Sequence, residues 1–143
     1  MKFLNSFQPL GLAILRLALA LIFIYHGYPK LVRADAMMRE FFVQHGFPGY
    51  FVGLAGILEC VGGGLLLIGL FTRPAAFVLS GEMAAAYFIE HFPRSFFPIQ
   101  SEGDLAVALC FTFLYLAFAG GGPWSLDAMF AAGKLDTAAQ SGR

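Results

Sequence analysis

Four apolar stretches, residues 9–31, 50–71, 74–92 and 104–119, constrain this chain more than anything else in it. A helix needs about 20 mostly apolar residues to cross a bilayer, within a range of about 17–25. The first three stretches reach that range and the fourth falls just short. Lipid admits only helices or closed barrels, because it holds no water to satisfy an open backbone. No alternating pattern of the barrel type occurs, so helices remain. The expected fold is therefore all-α: an integral membrane four-helix bundle, one domain over residues 1–143, with the lipid bilayer as its principal partner. Composition points the same way. The chain is 59% hydrophobic and 13% charged, where soluble domains average about 45–50% and about 25%. A soluble chain this short leaves too much surface in water to hide that excess. The formal net charge is zero, which removes nucleic acid as an expected partner.

The connections are short or amphipathic. Thr72–Arg73 joins the second and third stretches, and Pro74 opens the third, a place where its missing N–H is no loss. So tight a turn makes those helices antiparallel neighbours. In the loop at 32–49, Met37, Met38, Phe41 and Phe42 recur at helical spacing among Asp35, Arg39 and Glu40. This pattern predicts a short amphipathic helix at about 34–45, lying on the membrane surface between spans one and two. The loop at 93–103 carries Phe96, Phe97 and Pro98 and reads as interfacial. Gly120–Gly121–Gly122–Pro123 stops the fourth span, and Ser125 can cap an amphipathic tail at about 125–134. Residues 137–143 read as a frayed end. The first apolar run is too long for a signal-peptide core of about 7–15 residues. It also holds Arg16 and lacks a small-residue cleavage site, so it reads as an uncleaved span.

Charges inside the spans are the next informative feature. An ionisable group at the bilayer centre costs about 2.5–3.5 kcal/mol on insertion scales. Arg16, Glu59 and Glu82 lie well inside their stretches. They are expected to face the bundle interior and to form a buried Arg16–Glu82 or Arg16–Glu59 pair. Helical phase agrees: Arg16, Ala20, Phe23, Gly27 and Lys30 share one stripe, and Gly53, Gly56, Glu59, Cys60 and Gly63 another. Small residues mark a face where two membrane helices approach closely. A purely structural role for these charges, as interhelical glue, explains the same pattern.

With alternating helix directions, His26 and Lys30, Glu90 and His91, and Glu102 and Asp104 come to one membrane face. Such a polar mouth suits a small ligand, a proton relay or a quinone head group, since His and carboxylates exchange protons near neutrality. An ordinary solvated rim of helix ends is the plainer alternative. His26 and His91 at matching depth raise b-type haem, but two isolated histidines are weak support. No metal spacing occurs. Cys60 and Cys110 sit singly in apolar runs without a CxxC, so they read as small hydrophobes.

Three segments, LRLALALIFIYHGYPKL (15–31), GILECVGGGLLLIGLFTRPAA (56–76) and GGGPWSLDA (120–128), together resemble the DoxX family. The resemblance covers nearly the whole chain and rests on the ordered set rather than on any one motif. It implies a four-helix prokaryotic inner-membrane protein, with Arg16, His26, Gly27, Lys30, Glu59, Thr72 and Arg73 on the family's polar pattern. Members are similar to a membrane subunit of archaeal quinone-linked sulfur oxidation, and others are associated with thiol and oxidative-stress complexes. No soluble redox domain, cofactor motif or cysteine pair accompanies the spans here, which argues against independent oxidoreductase activity. The expected role is an accessory or partner-binding subunit of a membrane or redox complex. The alternatives are a quinone-linked oxidoreductase subunit and a small ligand-binding or transport protein using the same cavity. Basic residues near the spans balance across the two sides, so the expectation of cytoplasmic termini rests on the resemblance. The candidate cavity residues are Arg16, His26, Lys30, Glu59, Glu82, Glu90, His91 and Glu102.

Overall fold

A computed structural model describes residues 2–33 and 36–141, without the side chains of Lys2 and residues 134–141. Asp35, and residues 142–143 of the segment read above as frayed, fall outside the described residues. All regular structure among the described residues is helical. The order is α1 (Lys2–Asn5), α2 (Gln8–Val32), α3 (Ala36–Gln44), α4 (Phe51–Ile68), α5 (Thr72–Ala86), α6 (Asp104–Ala119) and α7 (Leu126–Ser141). A π-helical turn, Tyr87–His91, continues α5.

Two helices, α2 with 25 residues and α4 with 18, are long and apolar enough to cross a membrane. By contrast, α6 is apolar but has 16 residues, about 24 Å at 1.5 Å per residue. Helix α5 has 15 residues and gains length from the π turn. The structure thus carries the all-helical reading, while length and apolarity single out two spans rather than four.

Helix boundaries follow local chemistry. Helix α4 stops at Ile68, short of the expected 71, because Gly69 takes a left-handed conformation at φ 69°. Leu70 N–H then donates to Leu65 O and Gly69 N–H to Leu66 O, the Schellman arrangement that satisfies otherwise orphaned carbonyls. Helix α5 begins at Thr72, two residues before the expected 74. Its first turn needs acceptors for free N–H groups, and Asp127 supplies them from across the molecule. Ser125 caps α7, its Oγ accepting from Ala128 N–H at 3.3 Å. Helix α7 runs on to Ser141. Residues 137–141 are therefore helical, not frayed: no glycine or proline interrupts the alanine-containing run there.

Glycines set the main packing. At Gly27 a Cβ would stand 2.8 Å from Glu59 Cβ and 2.9 Å from Cys60 N. At Gly63 it would stand 3.0 Å from Ala20 O. These contacts align α2 and α4 antiparallel, Gly27 beside Glu59–Cys60 and Ala20 beside Gly63. Gly62 receives Leu79 of α5 in the same way. Helices α5 and α6 are joined by Ser80 Oγ, which donates to Cys110 O at 2.9 Å. Between these pairs lies a core of Leu19, Phe23, Leu66, Leu79, Phe113 and Leu116. Phe23 and Phe113 meet edge to face at 4.5 Å, a favoured aromatic geometry.

Candidate functional site

The two ends of the helix bundle have different chemistry. At the end holding the α4–α5 turn, polar groups are spent on closing helix termini. Arg16, 3% exposed, donates from Nη1 to Leu66 O at 2.7 Å and from Nη2 to Trp124 O at 2.7 Å. The expected Arg16–Glu82 and Arg16–Glu59 pairs are absent. The α2–α4 register gives the reason. Arg16 lies eleven residues from Gly27, the neighbour of Glu59, or about 16 Å along the axis. At its own level it meets the C-terminal carbonyls of α4, which carry partial negative charge and lack helical donors.

Arg73 does the same for α6, its Nη1 donating to Phe118 O at 2.7 Å. Asp127 closes the opposite kind of terminus. Its Oδ1 accepts from Phe71 N–H at 2.8 Å and its Oδ2 from Thr72 N–H at 2.9 Å. Burial pushes the Asp127 carboxyl up, but the N–H groups of Thr72 and Phe71 and the Arg16 charge outweigh it, so it sits below the usual carboxylate value. The sequence does not mark Asp127 as a polar anchor, because nothing local links it to residue 71. Its only signal is its place in GGGPWSLDA.

At the other end the polar groups face space. A cavity of about 850 Å³ lies among α3, α4, α5 and the C-terminal part of α2. Of the eight candidates, Lys30, Glu59, Glu82, Glu90 and His91 line it. Lys30 comes to Glu59 because it lies one turn beyond Gly27, and its Nζ donates to Glu59 Oε1 at 2.6 Å. Glu59 is 4% exposed. Its Oε2, and Oε2 of Glu82, are buried without a hydrogen-bond partner. The π turn sets Glu90 and His91 at the rim, consistent with the frequent use of such turns at functional sites. Phe92 N–H donates to Tyr87 O at 2.9 Å, the five-residue bond of that turn.

Helix α3 roofs the cavity with Met37, Met38, Phe41 and Phe42, and none of its residues is buried. His45, just beyond it, holds its Nδ1 2.7 Å from Phe41 O, so that nitrogen donates. Its Nε2 stands 2.9 Å from Glu90 Oε2, a contact that becomes an ion pair when the ring is protonated on both nitrogens. Arg94 pairs with Glu90 one turn along. His45 was not among the candidates, because its loop offers no periodic signal.

Three candidates stand apart. Arg16 is a terminus cap at the far end. His26 is exposed and lines a separate shallow groove on α2 with Tyr25 and Pro29. Glu102 is exposed, at a positive φ of 58° in the turn before α6. The expected six-residue mouth is thus reduced to Lys30, Glu90 and His91. Helical phase sends His26 around α2, and the tight turn at Glu102–Gly103 directs that residue outward. His26 and His91, expected at matching depth, line different hollows. His91 Nδ1 instead donates to Ser101 O at 2.9 Å. Among the described residues no group of three His, Cys, Asp or Glu side chains converges on a metal position.

A family model described as DoxX matches residues 11–92, a segment that contains every residue lining the cavity. An uncharacterised protein of Haemophilus influenzae is 43% identical over 133 residues, covering 91% of this chain and 98% of its own. An uncharacterised membrane protein of Mycobacterium tuberculosis is 28% identical, covering 88% of this chain and 85% of its own. The Escherichia coli inner membrane protein YqjF is 26% identical, covering 87% and 95%. No solved structure matches the chain significantly.

Proposed function

From the premise that the chain belongs to the DoxX family of membrane proteins, we propose that it is a four-span inner-membrane protein that takes an amphiphilic small molecule from the bilayer into the cavity beneath α3. Spans α2 and α4 anchor it. Helix α5 with its π turn, and α6, complete the bundle as shorter spans. Large apolar side chains on their outer faces support this reading: Phe77 on α5, Phe111 and Phe118 on α6 are exposed. In water that surface would be a liability; against acyl chains it carries no cost. Both termini lie on the cytoplasmic side in this reading.

The observation that carries the function is the cavity itself. Its volume, about 850 Å³, falls within the range of about 300–1,000 Å³ typical of small-molecule sites. Its walls are mainly apolar, and methionines in the roof can adapt to irregular shapes. Buried carboxylates and one lysine mark the inner end. An apolar body with a polar head fits that gradient, and isoprenoid quinols are one such class.

Gly81 provides the test. It lines the cavity, and a Cβ added there meets nothing within 4 Å. Gly81→Leu therefore starts its side chain in open space, and the added carbons take up cavity volume. In nanodiscs, the wild type should give saturable fluorescence with a neutral naphthylamine dye, above that of empty discs. The variant should lose about tenfold or more in affinity, the equivalent of about 1.4 kcal/mol, with its thermal midpoint kept. Equal dye binding by the two proteins would sink the proposal.

A further inference from the structure

We infer that the cavity selects a lipophilic cation, an organic ammonium with an apolar body, over neutral or anionic amphiphiles of the same size. The inference rests on the ligand-binding reading above and names the charge of the head group. Its first support is a shortage of donors. Among the described residues lining the cavity, three carboxylates, Glu59, Glu82 and Glu90, face one lysine and one histidine. The Lys30 ammonium is committed to Glu59 Oε1 at 2.6 Å. The His91 Nδ1 donates away from the cavity, to Ser101 O. Glu90 has Arg94 and His45 beside it. That leaves Glu59 Oε2 and Glu82 Oε2 buried and without donors, and Glu59 is 4% exposed.

A buried acceptor without a donor is costly, and more so when it belongs to a carboxylate. A ligand that brings N–H groups and a positive charge offsets that cost. A ligand carboxylate or phosphate adds a like charge beside Glu82 and makes it worse. The second support is independent of the carboxylates. Phe41, Phe42, Phe47 and Phe51 all line the same cavity. Aromatic side chains attract cations through the negative faces of their rings, and cages of them recognise ammonium groups. Carboxylates at the inner end and phenylalanines along the wall favour the same charge.

The test compares octylammonium, octanol and octanoate, which share one chain and differ in the head group. Each is titrated at neutral pH against the bound naphthylamine dye in nanodiscs of zwitterionic lipid. Octylammonium should displace the dye at a concentration about tenfold or more below that needed for octanol, as one gained charge-assisted hydrogen bond predicts. Octanoate should be the weakest. In Glu82→Gln the advantage of octylammonium over octanol should shrink several-fold, because the amide carries no charge and brings its own N–H donors. The order measured on the wild type stands even if that variant fails to fold. Octanol equal to octylammonium, or octanoate the strongest, overturns the cation preference and leaves the ligand-binding reading standing. A dye that never binds removes both.

Discussion

Asp127 shows how one side chain outside the apolar helices fixes the start of one of them. Its two oxygens accept from Phe71 and Thr72 N–H, as an N-cap residue would for α5, although it sits at the start of α7. Caps of this kind are worth about 0.5–2 kcal/mol. Asp127→Ala should lower the unfolding free energy by about that amount, read from denaturant titration in micelles. The pH dependence has a definite sign. A carboxyl held below its usual value in the folded protein stabilises above the unfolded value, near 3.9 for aspartate, and loses that contribution as pH falls through the folded value. Acidification below about pH 4 should therefore destabilise the wild type more steeply than Asp127→Asn. Parallel acid profiles for the two proteins would show that the cap does not depend on charge. The positions of Arg16 and Glu59 as buried charges were legible in the sequence, but their partners were not. Which carboxylate or carbonyl stands beside Arg16 depends on helix register, which no local pattern encodes.

Among the elements, α4 carries the most informative arrangement of glycines. Gly56 and Gly63 press against α2, and Gly62 against Leu79, whereas Gly53 and Gly64 have nothing within 4 Å of an added Cβ. The predicted small-residue stripe thus holds at Gly56, Glu59, Cys60 and Gly63, while half-buried Gly53 faces open space. A methyl at Gly63 would stand 2.9 Å from Ile24 Cγ1 and 3.0 Å from Ala20 O, so α2 must move. Overpacking of this kind costs about 1–3 kcal/mol. Gly63→Ala should destabilise the protein by that order. Gly64→Ala should be neutral or stabilising by up to about 1 kcal/mol, since alanine is the better helix former. Thermal unfolding of the two variants side by side checks this; equal midpoints would contradict the packing. Hydropathy runs smoothly through Gly69–Phe71, so it places the end of α4 three residues late and the start of α5 two residues late. What stops α4 there is a left-handed glycine, and what starts α5 is a distant carboxylate.

At the scale of the whole molecule, one end of the bundle is tied shut and the other is open. Arg16, Arg73 and Asp127 close helix termini at the α4–α5 turn, while Lys30, Glu59 and Glu82 surround a cavity at the opposite end. Such polarity suits a protein that keeps a rigid base and admits a molecule on the other side. The proposed topology makes this measurable. Green fluorescent protein fused after Arg143 should fluoresce, as it does in the cytoplasm, and alkaline phosphatase fused after Gln44 or Gln100 should be active, as it is outside it. An inactive phosphatase at both loops, with a dark C-terminal fusion, would invert the orientation. Disagreement between the two loops would remove the four-span bundle.

The amino-acid sequence alone determined that this is a helical membrane protein, that charges are buried within its spans, and that small residues line a packing face. Those properties follow from composition and periodicity, which act residue by residue along the chain. Tertiary structure decided the rest: the pairing of Lys30 with Glu59, the diversion of Arg16 to the carbonyls of α4, the exclusion of His26, and the roof that α3 forms over the cavity. Each depends on the axial offset and rotation of two helices. The glycine contacts between α2 and α4 set that offset for the first two, and a shift of a single turn, about 5.4 Å, is enough to exchange one partner for another.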